Sequence, residues 1–479
     1  MTSYHYTGII LVLSALLFPV GGWLADAHIG RHKMVQYSTW IMWIGTIVIT
    51  VGEILAYVST TYDTSIRKWV IYAMFAIMAS GLGAFQSTII QFGIDQLKDA
   101  STTEIVSFIT WYVLILYASG ITLQYATDCF VYIEPDNKYF FVKSLAVAVC
   151  LTLALSSNFL FQHWLVKESI TGNSFRLIVG VVKYTLKNRK LRYTFAIDEV
   201  PSRLDVAKHK YGGPFSSQQV EDVKSFLEIL ILIATCTIVC SGINAIEYAK
   251  EKIERRFYEW QENNGLHGCY ERLTILYNDY LTAIVLVLLY EFVIYPLCNR
   301  CLPQISITKK FLLGIVFFLL RIISLLSIEI VAFTEQLNSK NTTVTCIFTA
   351  EHKETIHIGY KWLLIPGFMS ALSSLLFLLS AFEFIWAQTP YSMTGLVLGI
   401  MYAFLGLNTS LQVALASPFL FVTGIPWKSI PLTCGIWYFI MQSIIVFVVL
   451  IVGMVMFKRY KRRDRNDRLL TSYTTVSYS

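Results

Sequence analysis

Windows of about twenty apolar residues recur from one end of this 479-residue chain to the other, and that recurrence constrains the fold more than any other feature. A helix rises 1.5 Å per residue, so about twenty apolar residues cross the roughly 30 Å of hydrocarbon in a bilayer. Such segments lie at roughly 6–25, 34–58, 68–92, 105–126, 139–165, 225–247, 279–297, 310–334, 359–386, 393–422 and 434–457. They imply an all-α, polytopic membrane protein of about 11 transmembrane helices, because in hydrocarbon each backbone N–H and C=O must be satisfied within its own segment. Charge agrees: 14% of the residues are charged, against about 25% in a soluble domain. The first run, Tyr6 to Ala25, follows no basic residue and is long enough to span, so it does not read as a signal peptide.

A polar stretch from Leu165 to Lys224 divides the spans into five and six. The expected organisation is a first transmembrane bundle over 1–165, a cytoplasmic linker over 166–224, a second bundle over 225–457 and a basic tail over 458–479. Lysine and arginine orient it. The linker carries a run of them from Lys167 to Lys224, the tail opens "KRYKRRDRNDR", loop 298–310 holds Arg300, Lys309 and Lys310, and the first loop holds Arg31 and Lys33. Even numbers of spans separate these four loops, which places all of them in the cytoplasm. The sequon Asn341-Thr342-Thr343, a glycosylation candidate, then falls outside, as does the acidic loop with Asp128, Glu134 and Asp136. Five spans plus six resembles six plus six without the first helix.

The net charge of +7 follows from this topology and calls for no nucleic-acid partner. Nine cysteines show no metal-ligand spacing, so no metal and no cofactor are expected. Within the linker, "SFRLIVGVVKYTLKNRK" sets Phe175, Ile178, Val182 and Leu186 on one helical stripe with basic residues opposite. Two readings stand: an amphipathic helix on the inner leaflet, or a helix packed on the protein's own loops. The tail is basic, then rich in Ser, Thr and Tyr, a disordered composition, and its "DRLL" leaves plasma membrane and endolysosomal membrane both open.

One short stretch between two spans is anomalously polar: "GGWLADAHIGRHK", residues 21 to 33. It resembles the loop between helices 2 and 3 of the major facilitator superfamily, a fold of two helical bundles. "FGIDQL" (Phe92 to Leu97), "SFITWYVLILYASG" (Ser107 to Gly120), "YEFVIYP" (Tyr290 to Pro296) and "FEFIWAQTPYSM" (Phe382 to Met393) follow in the order of one branch. The linker string "PSRLDVAKHKYGGPFSSQQVEDVKSFLEIL" is similar to the animal form of that branch, the proton-dependent oligopeptide transporter family. The resemblance implies 12 helices, with helix 1 missing here, and a gate at the first loop. Asp26 is expected to meet the start of the tenth segment near Ser392 to Gly395, exploiting the unsatisfied N–H groups there. Arg31 is expected to pair with Asp95, while Gly21, Gly22 and Gly30 permit close helix approach and a sharp turn. Gln96, Glu291 and Glu383 lie inside the matched strings, the two glutamates as structural hydrogen-bonders.

The chain departs from the family where charge matters most. It has no ExxER-type motif, Gln86 stands where the family has a lysine in helix 4, and Ser374 stands where it has a glutamate in helix 10. Both side chains can hydrogen-bond a peptide's termini, and neither can neutralise them. The intramembrane charges that remain are Arg321, near the middle of its span, Glu329 two turns on, and Glu53 in the second segment. Such groups are pathway candidates by default.

The resemblance implies a secondary transporter of di- or tripeptides, or of histidine-like amino acids, with proton symport by alternating access. The alternative is a degenerate, non-transporting member that serves as a membrane scaffold or adaptor. No catalytic constellation or P-loop points to an enzyme. Expected partners are small peptides or amino acids, protons and the lipid bilayer, with the oligomeric state open.

Overall fold

The computed structural model describes residues 15–58, 64–97, 100–133, 140–167, 170, 172–188, 202–234, 278–294, 306–338, 360–420 and 434–459. Asn341 and the tail beyond residue 459 lie outside the described residues, as do the chain before residue 15 and the expected absence of a first helix.

The described chain is mostly helical, with an isolated bridge between Lys208 and Phe215. Helix α1 (15–24) runs into a π-helical turn, Ala25–Ile29, and α2 (Arg31–Val58), α3 (Thr64–Asp95), α4 (Thr102–Ile133) and α5 (Phe140–Phe161) complete the first bundle. The linker holds α6 (Ser174–Lys187) and two short 3-10 turns, Arg203–Ala207 and His209–Tyr211. The second bundle comprises α7 (217–234), α8 (Asn278–Leu289) with its own π turn at Tyr290–Ile294, α9 (Ile307–Asn338), α10 (Leu364–Gln388), α11 (Thr394–Leu420) and α12 (Cys434–Arg459). Among the described residues, 7 helices are long and apolar enough to cross a membrane, and Ala15–Ile29, Leu281–Val293 and Tyr391–Leu407 are shorter apolar helices.

Helix α2 shows why such a sequence folds only in lipid. Trp40, Ile44, Val48, Val51 and Leu55, spaced by three or four residues, stand exposed on one face. Thr39, Met42, Thr46, Ile49 and Glu53, spaced likewise, are buried on the other. The outward stripe is the more apolar of the two, the reverse of a water-soluble helix. Buried threonines are satisfied within the helix: Thr46 and Thr50 donate to the carbonyls of Met42 and Thr46, each at 2.8 Å. This is a multi-pass integral membrane protein.

Each bundle is built around such a helix. In the first, α2 packs on α3 and α5; in the second, α9 packs on α10 and α12. The bundles meet where α3 and the π turn after α1 touch α11, and where α4 touches α8 and α10.

The linker packs into the core that runs on into the bundles. Val206, Ala207, Val220 and Val223 are buried there with Val181 of α6. Asp205 lies 2.6 Å from Lys208 and 2.7 Å from Lys224, and Glu221 pairs with both lysines. Burial alone would raise the Asp205 carboxyl, but hydrogen bonds from the two ammoniums hold it well below the usual range, and the pairing pushes Lys208 up. The stripe foreseen on α6 is shifted by one position. Ile178 packs inward, and Phe175, Val179 and Leu186 form the exposed apolar line, with Val182 half-buried between them.

Candidate functional site

The polar stretch 21–33 folds as a close contact between bundles. A π turn adds a residue to the end of α1, and Gly30 closes it with φ 86°, donating from its N–H to the Ala25 carbonyl at 3.1 Å. The φ requires glycine, although a side chain there would meet open space. Gly22 is constrained differently: a Cβ would stand 1.9 Å from the Gly395 carbonyl oxygen, so backbone touches backbone between α1 and α11. Gly399 extends the same line, where a Cβ would lie 2.4 Å from the Phe18 carbonyl oxygen. Gly21 faces α3, against Ala84.

The turn points Asp26 at the first turn of α11. Its Oδ2 accepts the Gly395 N–H at 2.8 Å, and the Leu396 N–H also reaches the carboxylate. Both donors lie where a helix cannot satisfy them itself, so a carboxylate from the other bundle serves as the cap. The other oxygen receives Arg31 Nε at 2.9 Å.

Arg31 is the hub. Its Nη1 donates to both Asp95 oxygens at 3.1 and 2.9 Å, and its Nη2 donates to the Tyr391 carbonyl at 2.9 Å. The guanidinium also lies 4.4 Å from the centre of the Tyr391 ring. Asp95 is completed by Gln91 Nε2 at 3.0 Å and the Tyr391 hydroxyl at 3.3 Å. Asp26, Arg31 and Asp95 are all buried, so one cation offsets two carboxylates and the remaining charge is held by N–H, amide and phenol donors.

A second cluster repeats this arrangement in the other bundle. Glu291 lies in the π turn after α8, as Asp26 does after α1, and accepts a hydrogen bond from Ser107 near the start of α4. At the start of α9, Lys310 Nζ binds both oxygens of Glu383 at 3.0 Å, as Arg31 at the start of α2 binds Asp95. Each bundle thus sends a carboxylate from a π turn to the head of a helix in the other.

Deeper in, Tyr112 of α4 and Tyr402 of α11 are hydrogen-bonded to each other between the bundles, with Phe382 beside both rings and Phe18 stacked on Tyr402. With the glycine contacts, these aromatics pack α1, α4, α10 and α11 against one another.

The intramembrane candidates stand elsewhere. Glu53 accepts from Ser144 of α5 at 2.7 Å, inside the first bundle. Arg321 and Glu329 are buried on α9, which packs on α10 and α12. Gln86 is half-buried on α3. Ser374 donates to the Ser370 carbonyl of its own helix at 2.8 Å. An apolar cavity of about 40 Å³ lies inside the second bundle, lined by Ile233, Phe311, Phe377, Met401 and Phe457 among others, and it offers nothing to a peptide's charged ends.

Sequence reasoning did not single out Tyr391, Gln91 or Ser107, and it used Lys310 only to orient the chain. Gln91 had a signal, one helical turn before Asp95. Gln96 has a role that its motif did not suggest: its side chain accepts the Val166 N–H at 2.8 Å and donates to the Val166 carbonyl at 3.2 Å, pinning the linker beside the cluster.

No family model matches the chain. Among curated proteins, human "Solute carrier family 15 member 5" is 25% identical over 218 residues, 44% of this chain and 37% of its own length. "Protein NRT1/ PTR FAMILY 5.16" of Arabidopsis thaliana is 25% identical over 273 residues, 50% of this chain and 46% of its own. The match thus spans under half the length of either relative. "Protein NRT1/ PTR FAMILY 1.3" of the same plant is 21% identical over 404 residues, 79% of this chain and 71% of its own. Among solved structures, the POT family transporter PepTSo superposes with a TM-score of 0.61 at 16% identity, covering 95% of this chain and 89% of that one. The proton:xylose symporter XylE does so at 0.53 and 11%, covering 95% and 86%. These structures show the two-bundle fold, and the sequence relatives make the chain similar, distantly, to proteins of the POT/PTR type.

Proposed function

We propose that the protein is a secondary transporter working by alternating access, in a conformation closed at its basic-loop face, and that this face is cytoplasmic. The observation that carries the reading is the Asp26 cap on α11. It joins the bundles through groups that must separate for the site between them to open inward, and Arg31 ties that cap to both Asp95 and Tyr391. The solutes are small peptides or histidine-like amino acids moved with protons, a substrate class drawn from the family.

One observation favours the scaffold reading. Ser374 spends its hydroxyl on its own helix, and Gln86 is neutral, so neither supplies a countercharge to a peptide terminus. Uptake separates the two. Labelled dipeptide is offered to vesicles holding the folded protein, with and without external acid and with free histidine as competitor. Uptake that rises with acidity supports transport; no uptake, with or without acid, from correctly inserted protein supports the scaffold.

A further inference from the structure

Helix α6 has two working faces. One packs on the linker: Val181 is fully buried, Gly180 lies under the Phe215 ring, and the Tyr184 hydroxyl donates to the Gly212 carbonyl at 3.2 Å. The other carries Phe175, Val179 and Leu186, which are 56%, 45% and 65% exposed. At 100° per residue, exposed Arg176, Lys183 and Lys187 fall together along one flank of this apolar line. At and just beyond the end of α5, a membrane span, Phe161, Trp164 and Ile170 are exposed as well. Exposed apolar side chains bordered by cations match a bilayer surface with anionic headgroups.

The same helix is wired to the contact between bundles. Asn173 caps α6, its Oδ1 accepting the Arg176 N–H at 3.1 Å. The same oxygen accepts Trp23 Nε1 at 3.2 Å, and the Trp23 ring lies edge-on to Phe175. Trp23 directly follows Gly22, whose backbone touches Gly395. A displacement of α1 away from α11 therefore carries Trp23 with it and strains the cap of α6.

We propose that α6 seats on the inner leaflet, with its apolar line in the acyl boundary and Arg176, Lys183 and Lys187 on anionic lipid headgroups, and that this seating holds the basic-loop face closed through Asn173 and Trp23. The proposal rests on the cytoplasmic assignment of that face. Each basic residue near an anionic surface changes the ratio of seated to lifted helix about fivefold, so removing all three changes it on the order of a hundredfold.

The test uses the full chain in vesicles of phosphatidylcholine, alone or mixed with phosphatidylserine, with an environment-sensitive fluorophore placed at Leu186 by amber suppression. Brominated acyl chains are expected to quench it and aqueous acrylamide to spare it, more completely with phosphatidylserine present. The triple variant Arg176→Gln, Lys183→Gln, Lys187→Gln is expected to lose the dependence on phosphatidylserine while remaining monodisperse. Equal quenching by acrylamide in both membranes, or a triple variant that behaves as the parent, overturns the lipid contact. This arm needs no transport, so its failure is distinct from failure of the transport reading. The second arm reads the distance across the basic-loop face between spin labels at Lys33→Cys and Lys309→Cys. Phosphatidylserine should enrich the short distance, and Asn173→Ala should abolish that response while α6 stays in lipid. A distance indifferent to phosphatidylserine in the otherwise unaltered protein overturns the coupling.

Discussion

Asp26 and Gly395, 369 positions apart in the chain, meet at 2.8 Å where the first bundle touches the second. The contact is short-range on both sides. Gly22 lets the backbones touch, and the π turn aims the carboxylate along the axis of α11. Neither group is at a distance where partial opening would preserve it, so the contact is suited to two discrete arrangements.

Glycines at this contact should respond according to their different constraints. Gly22→Ala forces a Cβ against the Gly395 carbonyl, a backbone atom that cannot swing aside. Overpacking of this kind costs about 1–3 kcal/mol, and the expected result is a shift toward the state open at the basic-loop face. Gly30→Ala meets open space but imposes φ 86° and ψ 145° on alanine, a strain of about 1–3 kcal/mol. It should lower the melting temperature without moving the bundle separation. Measuring both quantities on both variants checks the distinction.

Arg31 should be the least replaceable residue of the cluster. Arg31→Leu leaves two buried carboxylates without their cation, which costs about 3–5 kcal/mol and should appear as a large loss of folded protein. Arg31→Lys keeps the charge but not a planar fork able to reach Asp26, Asp95 and the Tyr391 carbonyl at once. It should fold and show weaker closure, read by the accessibility of a cysteine at Tyr391.

Much of this cluster was legible in sequence because it is local in motif. An aspartate and an arginine five residues apart between two apolar spans mark an anomalously polar loop, and the pairing of Arg31 with Asp95 follows from the resemblance of the matched strings. Tyr391 was quoted within its string, but nothing marks a residue whose carbonyl, ring and hydroxyl all serve the same neighbour. The stripe on α6 shows the limit on periodicity. Ile178 and Val179 are both apolar and adjacent, and only the packing of Val181 on the linker core decides which of them faces out. For Arg321, depth in a span was legible, but α9 faces α10 and α12, and hydropathy does not say which neighbours a helix has.

The linker should stay folded across the pH range of cellular compartments. The folded Asp205 carboxyl is held below its ordinary 3.8 and Lys208 above its ordinary 10.5, with Glu221 also lowered by its lysines. A lowered carboxyl pKa adds stability above the unfolded value and loses it as pH falls through the folded one. A raised lysine pKa adds stability below the unfolded value and loses it as pH rises through the folded one. Resistance of the linker to proteolysis should therefore be flat from about pH 5 to 9 and fall only below about pH 4. Loss of resistance near pH 6 would count against the network.

Gln96→Ala should loosen the linker while leaving the Asp26 contact in place. It removes both hydrogen bonds to Val166, each worth about 0.5–1.5 kcal/mol. The expected signature is faster amide exchange around residues 164–167 with unchanged exchange at Gly395.

Distance across the basic-loop face, with spin labels at Lys33→Cys and Lys309→Cys, separates a switching contact from a fixed one when Asp26→Asn is compared with the parent. The amide keeps an acceptor for Gly395 but gives up the charge that the helix terminus favours, worth about 0.3–1 kcal/mol at exposed sites and up to about 2 when partly buried. A switching contact predicts two distance populations, with the longer one growing several-fold in Asp26→Asn. A single short distance, identical in both proteins, would contradict it and leave the cluster as a fixed brace between the bundles.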